Sequence, residues 1–233
     1  MGEMADAYEE GRKRVRDMVR AASQEQLDKK VPACPDWSVK DLFAHLVGIG
    51  EDTAGMNVDA AGSSEWTQSQ VERRGDKSVK EIDDEWEQLA PKIAGVMDAI
   101  PQGRASALIG DLVTHELDML GALGAKGGPG EQALLVALER YVKYFGKRVK
   151  DAGLPPVTIQ TDDGHSWVAG KGEPGITLTG SKIDLLRTLT GRRTQQEIKQ
   201  LNWSGDPTPY MSLISNYGMP QVPLQEWTEQ PPE

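Results

Sequence analysis

Two residues in one apolar stretch of the chain have the types and spacing of metal ligands. Asp111 and His115 stand four residues apart within residues 107–120, so a helix would carry both on one face. Asp118 continues the same stripe one turn further along. Burying an unpaired carboxylate is costly, and such a group usually has a partner or coordinates a metal ion. The stretch therefore indicates part of a metal site.

His45 is a third candidate ligand, from the apolar residues 42–47. Facing helices of a bundle can bring it against Asp111 and His115. Two imidazoles, one carboxylate and a water form the open arrangement of a catalytic zinc site, and nickel or iron would also accept these ligands. A histidine on an apolar face also occurs as a hydrogen-bonded core residue. However, two of the three histidines of the chain fall in these stretches, which favours a shared role.

Three other residues have weaker support as site residues. Asp118 lies one turn from His115, so we expect it to orient His115 only indirectly. The single cysteine, Cys34, precedes a helix N-terminus, a position that can activate a thiol, but a packing role is the preferred interpretation. His165 follows a glycine in a predicted turn and is interpreted as a surface residue.

Five segments with apolar residues at helical spacing must position these side chains. They are residues 5–22, 39 to about 54, 79–100, 104–123 and 131–152. Ser38 and Asp41 form the capping box of the helix that carries His45, and Gly124 ends the helix that carries Asp111. Residues 31–37, with two prolines, are predicted to be a rigid loop, and residues 62–69 a polar loop.

The pattern changes after residue 152. Residues 157–161 and 165–169 read as strands joined by a turn, residues 175–179 as a third strand, and residues 182–189 as a helix that Gly191 ends. Residues 202–233 are predicted to be an extended tail. The predicted fold class is α+β: an all-α four-helix bundle (residues 1–152), followed by a small α+β domain with its tail (residues 153–233).

Composition narrows the expected partners and location. The net charge of −10 argues against a nucleic-acid partner, because phosphate binding needs a basic surface. A single cysteine excludes an intrachain disulfide and fits a reducing compartment. No signal-peptide pattern opens the chain, and no stretch approaches the roughly 18 apolar residues of a membrane span. We expect a cytoplasmic protein without a membrane partner, either a monomer or a homodimer.

Residues 31–48, which read VPACPDWSVKDLFAHLVG, resemble the opening signature of the mycothiol-dependent maleylpyruvate isomerase family. A second family feature, a carboxylate followed four positions later by histidine, is matched by Asp111 and His115, and the gap of about 70 residues after His45 agrees. The resemblance covers most of the chain. It implies an N-terminal DinB/YfiT-like bundle and a C-terminal domain similar to sterol-carrier folds.

The resemblance also implies roles for individual residues. His45, Asp111 and His115 take the positions of the metal ligands, and the usual metal is zinc. The isomerase has glutamate where this chain has Asp111, which is one methylene shorter, so the metal or its affinity can differ. The family also places an arginine near the substrate carboxylates. Arg192 and Arg193 resemble that element, although a cation at a helix end explains them equally well.

The implied chemistry uses a thiol as cosubstrate. A divalent metal binds the sulfur of mycothiol or a similar small-molecule thiol and favours its thiolate, which attacks an electrophilic small molecule. The thiolate leaves again in the isomerase and stays on the product in S-transferase relatives. Two alternatives remain open: a metal-free module that binds a hydrophobic ligand, and a hydrolase in which metal-bound water attacks. A structural partner protein has no positive support.

Overall fold

The structure, a computed structural model, describes residues 2–224 and divides them into two compact units, residues 2–133 and 134–224. The helices are α1 (Glu3–Ala21), α2 (Gln24–Leu27), α3 (Val39–Ala54), α4 (Ser64–Glu72), α5 (Val79–Ala99), α6 (Gln102–Leu123), α7 (Glu131–Asp151), α8 (Lys182–Leu189) and α9 (Gln195–Gln200), with a 3₁₀ helix at Thr208–Leu213. The strands are β1 (Lys30–Val31), β2 (Cys34–Ser38), β3 (Val157–Thr161), β4 (Ser166–Ala169), β5 (Ile176–Gly180) and β6 (Asn202–Trp203). The predicted α+β class is confirmed.

Four long helices form the bundle of the first unit. Helices α1 and α3 each pack against both α5 and α6, so the four helices close into a ring around one apolar core. Val15, Phe43, Trp86 and Ile109, one from each helix, are completely buried there. The indole N–H of Trp86 donates to the hydroxyl of Tyr8 at 3.0 Å, which satisfies the one polar group of that ring.

The caps predicted from the sequence fix the ends of the two helices that matter most. The Ser38 hydroxyl accepts the backbone N–H of Asp41 at 3.1 Å, and the Asp41 carboxylate accepts the backbone N–H of Ser38 at 2.8 Å. Helix α3 therefore begins at Val39. Helix α6 ends at Leu123 because Gly124 takes a left-handed conformation with φ of 59°.

Two segments differ from their sequence predictions. Residues 62–69 are predicted to be a loop, but α4 begins at Ser64, where the Ser63 hydroxyl accepts the backbone N–H of Trp66 at 3.2 Å. Packing on α3 overrides the polar composition of this helix. Residues 31–37 are predicted to be an irregular loop, but β1 and β2 pair there as a short antiparallel hairpin.

The close packing of α4 on α3 depends on a glycine. A Cβ at Gly48 of α3 would lie 2.5 Å from the Cβ of Gln70 on α4, which is closer than two carbon atoms can approach without displacement. Gln70 is completely buried at this contact. Gly48 therefore sets how near α4 can lie to α3.

The second unit is built on a four-stranded sheet in the order β4–β3–β5–β6. Strand β3 is antiparallel to β4, as the predicted hairpin requires, and parallel to β5. All of helix α7 after residue 133 belongs to this unit. There, the Arg148 guanidinium donates to the Ile214 carbonyl at 2.6 Å. A Cβ at Gly146 would lie 2.7 Å from the backbone nitrogen of Gly170. Helix α7 thus packs with the C-terminal elements, and the predicted domain boundary at residue 152 stays a prediction.

The predicted extended tail contains two short ordered elements. Strand β6 pairs antiparallel with β5, and the 3₁₀ helix at Thr208–Leu213 follows it. The last part of that prediction, residues 225–233, lies outside the described residues. Within residues 2–224, no helix combines the length and the apolar character that crossing a membrane would require.

Gly48→Ala is expected to lower the free energy of unfolding by about 1–3 kcal/mol, because the added methyl group overpacks the α3–α4 contact. Urea denaturation of the purified chain measures this change. Gly95→Ala is the matched control, since a Cβ at this exposed position of α5 meets no atom within 4 Å. We expect it to be neutral or to stabilise by up to about 1 kcal/mol through helix propensity. Equal effects of the two substitutions would contradict the packing argument.

Candidate metal centre

The structure brings His45, Asp111 and His115 together where α3 packs against α6. His45 Nε2 lies 3.4 Å from Asp111 Oδ2, and His115 Nε2 lies 3.6 Å from Asp111 Oδ1. The two imidazole rings meet edge to face with centroids 5.3 Å apart. One ligand atom from each residue lies within 4.8 Å of the other two. The carboxylate thus lies between two ring nitrogens.

This spacing is compatible with ligand atoms that surround one cation. Both nitrogen–oxygen distances, 3.4 and 3.6 Å, exceed the usual N–H···O range of about 2.7–3.2 Å. Ligand atoms about 2.0–2.2 Å from a tetrahedral zinc ion lie roughly 3.3–3.6 Å from one another. Two imidazole nitrogens and one carboxylate are also the donors of open zinc sites and of some non-haem iron sites. The residues present therefore fit a divalent metal ion.

The three candidate ligands differ in their access to solvent. His45 and His115 are 3% and 8% exposed, whereas the Asp111 side chain is 29% exposed. The surrounding apolar core keeps water from the two rings, which strengthens electrostatic attraction at the site. Among the three, Asp111 is therefore the residue with the most solvent-exposed surface.

In each histidine, the ring nitrogen Nδ1 contacts a neighbouring polar side chain. His115 Nδ1 lies 2.9 Å from Asp118 Oδ2. The expectation that Asp118 acts only indirectly is therefore wrong, because a carboxylate three residues along the same helix reaches the ring. His45 Nδ1 lies 2.8 Å from Gln70 Oε1 on α4. Contacts of this kind orient a ligating histidine and leave Nε2 for the metal.

The electrostatics at His115 favour a positive charge. Burial alone lowers the pKa of His115, but the Asp111 carboxylate and hydrogen bonds with Asp118 and Cys34 outweigh that effect and raise the pKa to about 10. In the protein without a metal ion, a proton on His115 meets this demand for positive charge.

The β1–β2 hairpin adds two residues to the surroundings of the histidines. Cys34, His115 and Asp118 form a second group of possible metal ligands, in which one ligand atom from each residue lies within 4.8 Å of the other two. This group does not include His45 or Asp111. The Trp37 ring packs at 5.0 Å from the ring of His45. Sequence reasoning missed both contacts, because a segment predicted to be a loop carries no information about what it covers.

The two arginines predicted as catalytic lie in the second compact unit. Arg192 is buried and donates to the backbone carbonyl of Thr190 at 2.7 Å. Arg193 donates to the Asp184 carboxylate at 2.9 Å. Their role toward a substrate stays a prediction. His165 is exposed and stacks beside Trp167 with ring centroids 6.0 Å apart, as its surface interpretation requires.

The fold and the site define a helical-bundle protein with two histidines and a carboxylate clustered between two of its helices. The family model "Mycothiol maleylpyruvate isomerase N-terminal domain" matches residues 8–123, the region that holds all three residues. The chain belongs to this family of isomerases and is therefore an enzyme.

Two solved structures share the fold over most of the chain. One is described as the mycothiol-dependent maleylpyruvate isomerase, with a TM-score of 0.61 and 12% sequence identity, covering 87% of this chain and 92% of that chain. The other is a histidine-to-alanine mutant described in the same words, with a TM-score of 0.60, 12% identity and the same coverage. At this identity the likeness concerns the fold. A comparison with curated proteins finds no match.

Proposed function

We propose that this chain is a metal-dependent isomerase that uses mycothiol or a similar small-molecule thiol to act on an electrophilic small molecule. The observation that carries the proposal is the convergence of His45, Asp111 and His115 in the N-terminal domain of the family. The fold supports it further, because both similar structures are described as mycothiol-dependent maleylpyruvate isomerases.

In this proposal His45 Nε2, His115 Nε2 and the Asp111 carboxylate hold one divalent ion, with Zn²⁺ as the preferred metal. The ion, when bound, supplies the positive charge that stabilises a thiolate. The shorter reach of Asp111, compared with the glutamate of the isomerase, is sufficient here because both ring nitrogens already lie 3.4–3.6 Å from its oxygens.

The side chains around the ligands orient the two imidazole rings and shield them from water. Asp118 and Gln70 hold the two rings through Nδ1, so neither imidazole has to be reoriented when a ligand arrives. Trp37 packs on His45 and helps to keep water away from that ring, which preserves the low dielectric that favours charge interactions. These side chains thus shield the site where the anionic sulfur of the thiol would bind from water.

The substrate proposed is a small molecule with an activated double bond. A thiolate adds to one carbon of that bond, rotation follows about the resulting single bond, and the thiolate leaves again, so the product differs from the substrate only in geometry. Arg192 and Arg193 are proposed as candidates for binding a substrate carboxylate, because a guanidinium and a carboxylate form paired hydrogen bonds. This assignment rests on the family resemblance.

Metal content is the first test of the proposed site. We expect about one zinc or similar divalent ion per wild-type chain by mass spectrometry, since three protein ligands with an open position form a catalytic zinc site. His115→Ala is expected to lose the ion, and His165→Ala, which removes an exposed histidine of the second unit, to retain it. Circular dichroism of both variants checks that they are folded.

A wild-type chain that stays metal-free after reconstitution with zinc would contradict the proposed site. The leading interpretation would then be the metal-free module for a hydrophobic ligand. Retention of the ion by a folded His115→Ala variant would mean that the ion is not bound by the cluster on α3 and α6.

The thiol requirement is tested with the zinc-loaded chain, maleylpyruvate and mycothiol, following the conversion of the cis to the trans isomer by NMR. We expect omission of the thiol to slow the conversion at least about tenfold, equivalent to about 1.4 kcal/mol in the barrier. Removal of the metal with a chelator should have an effect at least as large. Turnover that is independent of thiol, with hydrolysis products, would favour attack by a metal-bound water instead.

A further inference from the structure

A chain of polar side chains runs from His45 to α4 and back to α3. Gln70 Oε1 lies 2.8 Å from His45 Nδ1, and Gln70 Nε2 donates to Asp52 Oδ2 at 2.7 Å. Asp52 also accepts from Arg73, at 3.1 Å to each carboxylate oxygen, and from Asn57 at 3.3 Å. Gln70 and Asp52 are 0% and 4% exposed. The contacts of Gln70 with His45 and with Asp52 are therefore shielded from competition by water.

Only one orientation of the Gln70 amide satisfies both of its neighbours. An ionised carboxylate has acceptors but no donors, and both oxygens of Asp52 accept from Arg73 at 3.1 Å in an ion pair. The amide NH₂ group of Gln70 must therefore face Asp52, and the amide oxygen must face His45. That oxygen can only accept a hydrogen bond, so the proton of neutral His45 is placed on Nδ1. The lone pair is left on Nε2, which faces Asp111.

The backbone of α4 holds the amide in this position. Gly48 lets Gln70 approach α3, since any Cβ there would lie 2.5 Å from the Gln70 Cβ. The buried guanidinium of Arg74 donates to the backbone carbonyl of Gln70 at 3.1 Å. These two contacts therefore keep the Gln70 side chain close to the His45 ring.

The two histidines are oriented by different chemistry. His115 faces the Asp118 carboxylate directly, whereas His45 faces a neutral amide whose orientation is set by a more distant carboxylate. The charge of that carboxylate, Asp52, is balanced by Arg73. Gln70 thus transmits the orientation that a carboxylate would impose, without placing a further negative charge on the ring.

We propose that Gln70, oriented by Asp52 and Arg73, is a positioning residue that fixes the Nδ1–H tautomer of His45 and prepares Nε2 to bind the metal ion. The metal-binding part of this inference rests on the proposed function. The tautomer is a property of the protein alone and can be measured without any metal.

The tautomer is read from ¹H–¹⁵N correlations of the imidazole rings in the metal-free chain, at about pH 8.5, where ordinary histidines are neutral. Three histidines in the chain keep the assignment simple. We expect the wild-type His45 ring to show Nδ1–H with an unprotonated Nε2. A wild-type ring protonated at Nε2 instead would overturn the proposal before any variant is made.

Gln70→Leu is expected to abolish the preference for Nδ1–H and to weaken zinc binding about 10–100-fold, the usual effect of removing a residue that orients a metal ligand. Competition with a chromophoric chelator measures the affinity for zinc alone. Gln88→Leu, at an exposed position of α5, is the matched control and should change neither the tautomer nor the affinity.

The double variant Gln70→Glu with Asp52→Asn separates orientation from packing. It exchanges the amide and the carboxylate: the introduced carboxylate accepts from His45 and from the introduced amide, whose oxygen can accept from Arg73. We expect this swap to restore the Nδ1–H tautomer and to bind zinc more tightly than Gln70→Leu does.

Failure of the swap to restore the tautomer, or an unchanged tautomer in Gln70→Leu, would overturn the positioning role. A wild-type chain that binds no zinc, while its His45 ring responds to Gln70→Leu, would instead contradict the proposed metal site. The positioning of His45 by Gln70 would stand in that case. The two failures are thus distinguished by separate readouts.

Discussion

The position of two buried histidines beside the partly exposed carboxylate of Asp111, at the contact of α3 and α6, is the constraint on which the rest of the site depends. Polar groups placed in an apolar core are costly unless each finds a partner. His115 obtains its partner from its own helix, through Asp118, whereas His45 needs a residue from another element. Helix α4 supplies it, and the glycine at Gly48 makes room for α4. The close packing of α4 on α3 therefore also orients His45 in the site.

The features that the sequence predicts are those that depend on local patterns. Apolar spacing predicts the long helices, and the capping residues Ser38 and Gly124 mark the ends of α3 and α6, because each of these signals lies within one turn of the element that it describes. His45, Asp111 and His115 could be singled out since each is a chemically active residue in an apolar segment. The hydrogen bond between Asp118 and His115 could also be predicted from the sequence, because residues three apart on a helix are neighbours.

The remaining features depend on contacts between distant parts of the chain. Residues 64–72 are polar and resemble a loop, and only the close approach to α3 shows that they form a helix that buries Gln70. The contact of Cys34 with His115 depends on how the β1–β2 hairpin folds over α6. Periodicity likewise predicts that α7 is a helix but not which core it joins. In each case the missing information is tertiary packing, which outweighs local propensity.

The distribution of charge explains why this cluster, among several buried acidic groups, suits a metal ion. Two carboxylates near the cluster are paired with arginine: Asp52 with Arg73, and Glu116, buried on α6, with Arg14 at 2.6 Å. Asp111 and Asp118 instead contact the histidine rings, and their negative charge acts on His115, whose pKa they raise to about 10. The cluster of His45, Asp111 and His115 thus joins a carboxylate to two ring nitrogens, which is the donor set of an open divalent-metal site.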